Sequence, residues 1–370
     1  MTMKHGFILA AMLALSAGTA RADIKIAVAG PITGEDAAVG EQMRRGAEMA
    51  VADINAKGGI LGQKLALEVG DDACDPKQAV AIANKFAVSG VVFVAGHYCS
   101  STSIPASAVY ADAGILEISP ASTNPVYTDD PAQKGWINVF RVCGRDDDQG
   151  KIAGAYIATH MKGKPVAIID DKTTYGKGLA DETRKALHAA GVTEAINESV
   201  NRGDKDFSAL VSKMKQANIG IIYYGGYYSE AGLVVRQAKE QGLNAPLMGG
   251  DGMLSADFWK ITGDAGNGTL MTFPPDPRNM SNAAPVVAEF KKQGYDPEGY
   301  TLYTYAAVQA FAKAAVQANS TKIDGVSKAL HGGKFDTVLG PIGFNPKGDV
   351  IGPNYVVYLW KDGAYAETKM

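Results

Sequence analysis

The fold is decided by residues 24–69, IKIAVAGPITGEDAAVGEQMRRGAEMAVADINAKGGILGQKLALEV. The two ends of this stretch, 24–29 and 65–69, are short apolar runs typical of buried strands. Between them, apolar residues at helical spacing predict a helix over 40–57, which the pair Gly58-Gly59 ends. A strand, a helix and a strand in this order predict two parallel strands joined by a crossover helix.

The same alternation continues downstream. Asp75 followed by Pro76 is a helix N-cap with proline at the first helical position, and it opens a predicted helix that ends near Val88. A strand, a helix and a strand are then predicted at 91–95, 103–113 and 116–119. This pattern predicts a parallel sheet with helices on both faces.

A second α/β unit starts after Arg145. Strands are predicted at 165–169, 195–200, 219–223 and 246–248, with helices at 150–160, 178–190, 207–217 and 229–241. Helices at 283–293 and 300–318 and a strand at 355–360 follow, and they could complete one or both units. In that case the chain crosses between two domains more than once, and the candidate crossings are 142–145, 273–277 and 347–353.

The first 22 residues have the features of a cleaved export signal. Lys4 and His5 give a basic start, residues 6–15 are apolar, and Ala20-Arg21-Ala22 places small residues around one spacer. The apolar run is too short for a membrane anchor. The alternative, a short buried helix, is disfavoured by the strand-like segment that follows at once. We expect the mature chain to begin at Asp23 and to work outside the cytoplasm.

Length and charge limit the possible functions. Removing 22 of the 370 residues leaves 348, which suits two domains better than one core. The chain is 46% hydrophobic and 20% charged, and its net charge of −3 becomes −5 once Lys4 and Arg21 are removed. Such a chain has nothing to attract nucleic acid or an anionic membrane. No later segment has about 18 uninterrupted apolar residues, so no transmembrane helix is predicted.

The three cysteines, Cys74, Cys99 and Cys143, form no C-x-x-C pair and give little support for zinc or redox chemistry. In an oxidising compartment two of them can pair. Cys74 and Cys99 are the expected pair because both follow predicted strands at the same sheet edge. Their disulfide would stabilise the fold by roughly 3–4 kcal/mol. Cys143 is then expected to be a small buried residue.

Catalytic signatures are missing. The chain has no G-x-S-x-G, H-E-x-x-H, P-loop or G-x-G-x-x-G motif, and its S-x-x-K match at 212–215 lies on the polar face of a predicted helix. Of the five histidines only His97 follows a strand, where a lone histidine is more often structural than catalytic. We therefore expect no catalytic residue, no metal and no cofactor.

Ligands of open α/β sheets bind outside the carboxyl ends of the strands, so a site is expected there. In the first unit, the segments 96–103 (GHYCSSTS) and 120–123 (PAST) bring hydroxyls and a helix N-terminus to one edge. Free N–H groups at a helix N-terminus, with added hydroxyls, suit a carboxylate. Capping is the simpler explanation for any single serine, but two such loops at neighbouring strands favour an anion site.

The strand ends of the second unit carry different groups. Tyr175 lies in 171–178, tyrosines and glycines form 223–228, and Asp251 lies among glycines at 249–252. An aspartate in a glycine-rich turn is usually only a turn residue. Across a cleft from the hydroxyls of the first unit, however, an aspartate with tyrosines would complete a site for the zwitterion of an α-amino acid.

With these segments in view, the chain resembles the periplasmic leucine/isoleucine/valine-binding proteins, which serve branched-chain amino acid ABC transporters. The resemblance covers essentially the whole mature chain. It is carried by VADINAKGGI (51–60), DDACDPKQAVAIANK (71–85), GHYCSSTSIPAS (96–107), YGKGLA (175–180), DKDFSALVSKMK (204–215), YYGGYYSE (223–230), TYAAVQA (304–310) and DTVLGPIGFNPKGD (336–349).

The resemblance implies an α/β fold of type I periplasmic binding proteins, in which two Rossmann-like lobes with parallel sheets are joined by a three-crossing hinge and close on the ligand. The implied first lobe comprises 23–143 plus 275–350, and the second comprises 144–274 plus 351–370. The signal at 1–22 precedes them.

The resemblance also implies which residues bind the ligand. Its carboxylate and ammonium contacts fall on Ser100, Ala121, Thr123, Tyr227 and Asp251. Its side-chain pocket falls on Tyr98, Cys99, Tyr175, Tyr300 and Val39, and its disulfide on Cys74 and Cys99.

Three positions depart from the family pattern. Val39 stands in place of an aromatic residue, Tyr98 in place of a leucine, and Asp251 in place of a glutamate. The contacts to the amino acid backbone are thus expected to be kept, while the side-chain pocket differs.

Three functions follow as hypotheses. In the first, a monomeric exported protein captures an amino acid, branched-chain or a related aliphatic or aromatic one, and delivers it to an ABC permease. In the second, the same fold is a periplasmic sensor that presents its closed form to a receptor kinase. The third is an amidohydrolase, for which the sequence offers no pair of nucleophile and base.

Overall fold

The structure, a computed structural model, describes residues 22–352 and 355–368. The predicted signal therefore lies outside the described residues, apart from Ala22. The α-helices of the described residues are α1 (Ala37–Ala56), α2 (Pro76–Ser89), α3 (Ser100–Ala113), α4 (Val126–Lys134), α5 (Asp146–His160), α6 (Thr174–Ala189), α7 (Ser208–Gln216), α8 (Tyr228–Glu240), α9 (Asp257–Thr262), α10 (Ala284–Lys292), α11 (Thr301–Ala318) and α12 (Ile323–Gly332).

The strands are β1 (Ile24–Gly30), β2 (Leu65–Asp71), β3 (Phe93–Gly96), β4 (Leu116–Ser119), β5 (Val139–Arg141), β6 (Val166–Asp170), β7 (Ile196–Ser199), β8 (Ile221–Gly225), β9 (Leu247–Gly249), β10 (Leu270–Phe273), β11 (Phe335–Thr337), β12 (Gly340–Phe344), β13 (Val350–Ile351), β14 (Val356–Lys361) and β15 (Ala364–Glu367). Among the residues the structure describes, no helix is both long and apolar enough to cross a membrane.

The opening strand–helix–strand unit forms as predicted. β1 and β2 pair in parallel, with Ile24 opposite Leu65, and β1 also pairs in parallel with β3. The first sheet has the order β2-β1-β3-β4-β5, and each neighbouring pair is parallel. The interior of β1 is fully buried, as expected for a strand covered by helices on both faces.

The second sheet has the order β15-β14-β10-β9-β8-β6-β7. It is parallel from β10 to β7, whereas β14 and β15 join its edge in antiparallel orientation. A small antiparallel sheet of β11, β12 and β13 lies apart from both. The α/β prediction with parallel sheets is confirmed, and the antiparallel strands β11–β13 and β15 are additions to it.

The C-terminal elements return to both sheets. α11 packs against α1, β3 and β4 of the first sheet, whereas β14 extends the second. Gly46 makes the α1–α11 packing possible, because a Cβ there would lie 2.1 Å from the carbonyl oxygen of Thr301. The chain thus passes between the sheets after β5, after β10 and before β14.

Local signals set several element ends. Asp75 caps α2 as predicted, accepting hydrogen bonds from the N–H groups of Lys77 and Gln78, and Gly90 ends the helix in the left-handed conformation. Four helices begin three or four residues earlier than predicted: α1 at Ala37, α3 at Ser100, α5 at Asp146 and α6 at Thr174. The hydroxyl-bearing residues 100–103 are therefore the first turn of α3. The unpredicted elements are short, which leaves too few residues for a periodic pattern.

Candidate functional site

A small cavity lies between the two sheets, at the carboxyl ends of their strands. It measures about 170 Å³ and is lined by Tyr98, Ser100, Ala121, Tyr175, Tyr227, Asp251, Gly252 and Tyr300. Seven of the ten residues predicted to bind a ligand are among those lining it, and Gly252 is the addition.

The other three predicted residues lie outside this lining. Thr123 is buried two residues beyond Ala121, and Val39 is buried in the first turn of α1. Cys99 lines a neighbouring cavity between the sheets. Their contact with a ligand stays a prediction.

The predicted disulfide is confirmed, because Cys74 and Cys99 are bonded to each other. Cys143 is a buried free thiol, as expected, and burial raises its pKa. The disulfide joins the loop after β2 to the residue that precedes α3. It therefore anchors the chain segment that carries Tyr98 and Ser100.

The first wall of the cavity, defined here as the segments 96–103 and 119–124, is held together by its own hydrogen bonds. The Ser119 hydroxyl donates to the carbonyl of His97 at 2.7 Å and accepts from the N–H of Ala121 at 3.1 Å. The Ser100 hydroxyl accepts from the N–H of Asn124 at 3.3 Å. These bonds link the two loops, so the wall is preformed.

His97 supports this wall from beneath. Its imidazole is fully buried, with Nδ1 2.6 Å from Asp72 Oδ2 and Nε2 2.8 Å from the Tyr110 hydroxyl. Asp72 also accepts from the N–H of Cys74 at 2.8 Å. Both ring nitrogens are occupied inside the protein, as a structural histidine requires.

The second wall, defined here as Tyr175, the residues 226–228 and the turn 250–252, carries one carboxylate. Asp251 is only 2% exposed. Its Oδ1 accepts from the Tyr175 hydroxyl at 2.8 Å and its Oδ2 from the Tyr300 hydroxyl at 2.6 Å. Burial raises the pKa of Asp251, whereas the hydrogen bonds it accepts act to lower it. A buried carboxylate held in this way can receive a cationic group of a ligand.

Gln149, on the first turn of α5, is a functional candidate that sequence reasoning missed. Its amide nitrogen donates to Asp251 Oδ1 at 3.0 Å, while its amide oxygen accepts from the backbone N–H of Asp251 at 2.9 Å. The same oxygen accepts from the Thr272 hydroxyl at 2.7 Å. Gln149 thus fixes the position of Asp251, and no strand end or motif marks it.

Four tyrosines form a connected aromatic group around the cavity. The ring of Tyr98 lies 5.5 Å from that of Tyr227 and 5.4 Å from that of Tyr300, and Tyr175 lies 5.1 Å from Tyr227. The hydroxyls of Tyr98 and Tyr227 are buried and have no hydrogen-bond partner among the described residues. The group combines apolar ring surface with free polar ends.

Charged pairs cross the mouth of the cleft. Arg202, which follows β7, forms an ion pair with Asp36, which precedes α1. Lys205 pairs in the same way with Glu35. Asp36 is 2% exposed, and burial raises its pKa to about 6 even though Arg202 acts to lower it. Contacts between the two sides indicate a closed conformation.

Sequence reasoning also missed these pairs. Arg202 and Asp36 each follow the carboxyl end of a strand, so reading the charged residues at those ends as well as the hydroxyls would have found them. Only the folded chain brings the two ends together.

The chain has relatives among known proteins. The chain matches the periplasmic binding protein family over residues 23–364. It is 50% identical over 364 residues to Leu/Ile/Val-binding protein homolog 1 of Brucella suis biovar 1 (strain 1330), covering 98% of this chain and 97% of that protein. It is 43% identical over 352 residues to the leucine-, isoleucine-, valine-, threonine-, and alanine-binding protein of Pseudomonas aeruginosa, covering 94% and 92%.

Two solved structures have the same fold. The leucine binding protein LivK of Thermotoga maritima superposes with a TM-score of 0.86 at 26% identity, covering 94% of this chain and 98% of that one. The branched-chain amino acid transporter substrate binding protein LivJ of Streptococcus pneumoniae, in complex with isoleucine, gives a TM-score of 0.84 at 26% identity, covering 94% and 100%. The resemblance stated from sequence is confirmed, and the chain belongs to the periplasmic binding protein family.

Proposed function

We propose that this chain captures an α-amino acid by closing its two lobes and delivers it to an ABC importer. One observation carries the proposal: a buried carboxylate, Asp251, shares a cavity of about 170 Å³ with Ser100 at the start of a helix. An α-amino acid carries both the cation and the anion that such a pair of walls accepts. The names of the relatives, which refer to leucine, isoleucine and valine, support the same class.

Each end of the ligand has a proposed receptor. The carboxylate binds Ser100, Ala121 and Thr123, where a helix N-terminus adds free N–H groups. The ammonium binds Asp251 and Tyr227. The side chain faces Tyr98, Cys99, Tyr175, Tyr300 and Val39. Tyr175 and Tyr300 have a second task in this proposal, because they orient Asp251 by hydrogen bonds.

Closure follows from differential affinity. The preformed first wall binds the ligand before the second wall arrives, and the second wall contributes Asp251 once the cleft shuts. The ion pairs of Arg202 with Asp36 and of Lys205 with Glu35 hold the closed form. A ligand that binds only this form shifts the population toward it.

The proposal extends to location and partners. A signal over 1–22 exports the chain to the periplasm, where a monomer works with a separate membrane permease and without nucleic acid. The lobes comprise 23–143 plus 275–350 and 144–274 plus 351–370, in accord with the passages of the chain between its sheets. The protein releases its ligand unchanged, since no catalytic step is part of the proposal.

The test is calorimetry on protein that has been unfolded and refolded to strip any carried ligand. At least one free α-amino acid should bind and raise the melting temperature with concentration. The same amino acid with its amine acetylated or its carboxylate amidated is the matched control and should bind far more weakly. No response to any α-amino acid would refute the proposal, and recovery of a converted ligand would indicate an enzyme instead.

A further inference from the structure

The cavity has a polar region that the bonds to Asp251 do not use. The side chains of Tyr98 and Tyr227 are 4% and 2% exposed, yet neither hydroxyl has a hydrogen-bond partner among residues 22–352 and 355–368. Both residues line the cavity. Buried polar atoms are nearly always paired. The proposed ammonium contact accounts for the Tyr227 hydroxyl, so the Tyr98 hydroxyl points to a second polar group of the ligand.

A charged pair lies against the ring of Tyr227. The guanidinium of Arg202 stacks on the Tyr227 ring at 4.2 Å and forms an ion pair with Asp36. One further atom of each charged group, Nη1 of Arg202 and Oδ1 of Asp36, is also buried and has no partner in the described part of the chain. Burial raises the pKa of the Tyr98 hydroxyl, and the nearby Asp36 carboxylate raises it further. Hydrogen-bond donors and acceptors therefore lie close together at the end of the cavity formed by Tyr98 and Tyr227.

We infer that the side-chain end of this cleft takes a short polar side chain, a hydroxyl or an amide, in preference to an aliphatic one of the same shape. The inference rests on the proposed function, since it assumes that an α-amino acid binds between Ser100 and Asp251. A polar side chain can accept from the Tyr98 hydroxyl, which faces the ligand side chain in the proposed function. An aliphatic side chain would seal that hydroxyl from water without pairing it, which weakens binding.

Size alone makes a different prediction. Tyr98 is larger than leucine, so a purely steric pocket would favour any small side chain and would treat threonine and valine alike. A polar pocket instead binds ligands of equal shape with different affinities. The pairs threonine with valine and asparagine with leucine therefore distinguish polarity from size.

The experiment is calorimetry of these four amino acids on refolded protein. We expect threonine to bind at least about tenfold more tightly than valine, and asparagine to exceed leucine in the same way. In Tyr98→Phe the ratio of threonine affinity to valine affinity should fall several-fold, because only the hydroxyl is removed. Tyr305→Phe is the matched control, since its hydroxyl bonds to Asp53 on α1 and away from the cavity, and the ratio should stay unchanged.

The outcomes are distinct. If valine binds as tightly as threonine, and leucine as tightly as asparagine, the inference is overturned while the proposed function stands. If no α-amino acid binds, both fail. Because the ratios are measured first on the unaltered protein, the inference can be judged even if the Tyr98 variant does not fold.

Discussion

The two walls of the cleft differ in how they are built. The first wall is neutral, and its loops are tied together by bonds such as those of Ser119 to His97 and Ala121. The second wall carries the buried carboxylate of Asp251, and one of its bonds comes from Tyr300, which directly precedes a helix packed on the first sheet. A neutral wall can form before a ligand arrives, whereas the charged wall is completed only on closure. We infer that the first wall provides recognition and the second provides affinity.

The largest effect should come from removing the charge of the second wall. Asp251→Ala is expected to weaken amino acid binding about 100-fold or more, because the ligand ammonium would then be buried without its partner. Isothermal calorimetry measures this loss. Asp264→Ala, an exposed aspartate on the same side, is the control and should bind normally. Near-normal affinity in the Asp251 variant would assign the ammonium to another group.

The second prediction concerns how the first wall is anchored. Replacing both Cys74 and Cys99 with serine should lower the free energy of unfolding by about 3–4 kcal/mol, because the chain between them is no longer restrained in the unfolded state. Urea denaturation under oxidising conditions measures the change. Cys143→Ala leaves the disulfide intact and should lower the free energy of unfolding clearly less. An unchanged unfolding midpoint in the double variant would contradict this role.

The next prediction tests the link between the walls. Arg202→Ala leaves the buried Asp36 without its partner in the closed form only, so the ligand should dissociate about tenfold faster. Stopped-flow release measures this rate. The control is Lys213→Ala. Lys213 on α7 forms an exposed ion pair with Glu198 on β7, on one side of the cleft, so its loss should change the dissociation rate little. Equal dissociation rates in the two variants would show that the pair does not hold the cleft closed.

The smallest effect is expected at a single hydroxyl of the first wall. Thr123→Val keeps the shape and removes one hydrogen-bonding group, so affinity should fall only several-fold. Calorimetric titration measures this loss of affinity. The control is Thr262→Val, which removes a hydroxyl that bonds within α9. A loss as large as that of Asp251→Ala would mean that the first wall also sets affinity and would erase the difference between the walls.

Much of the site could be predicted from strand ends and residue types. Ser100 and Asp251 follow strands of different sheets, and their chemistry alone indicated an anion receptor facing a carboxylate. Gln149 could not be predicted, because it lies in a helix and contacts Asp251 across 102 positions of the chain. Val39, Cys99 and Thr123 were predicted in the site from the resemblance, but they do not line the cavity.

The sequence by itself determined the alternation of strands and helices, the edge at which a site forms, and the Cys74–Cys99 pair. These depend on local periodicity and on residues that follow strands, and such signals act over a few positions. The tertiary structure alone decided that α11 returns to the first sheet and that Arg202 meets Asp36 across 166 positions. It also decided that the cavity hydroxyls of Tyr98 and Tyr227 have no partner among the described residues. Contacts of this kind depend on how buried surfaces pack, which no local pattern encodes.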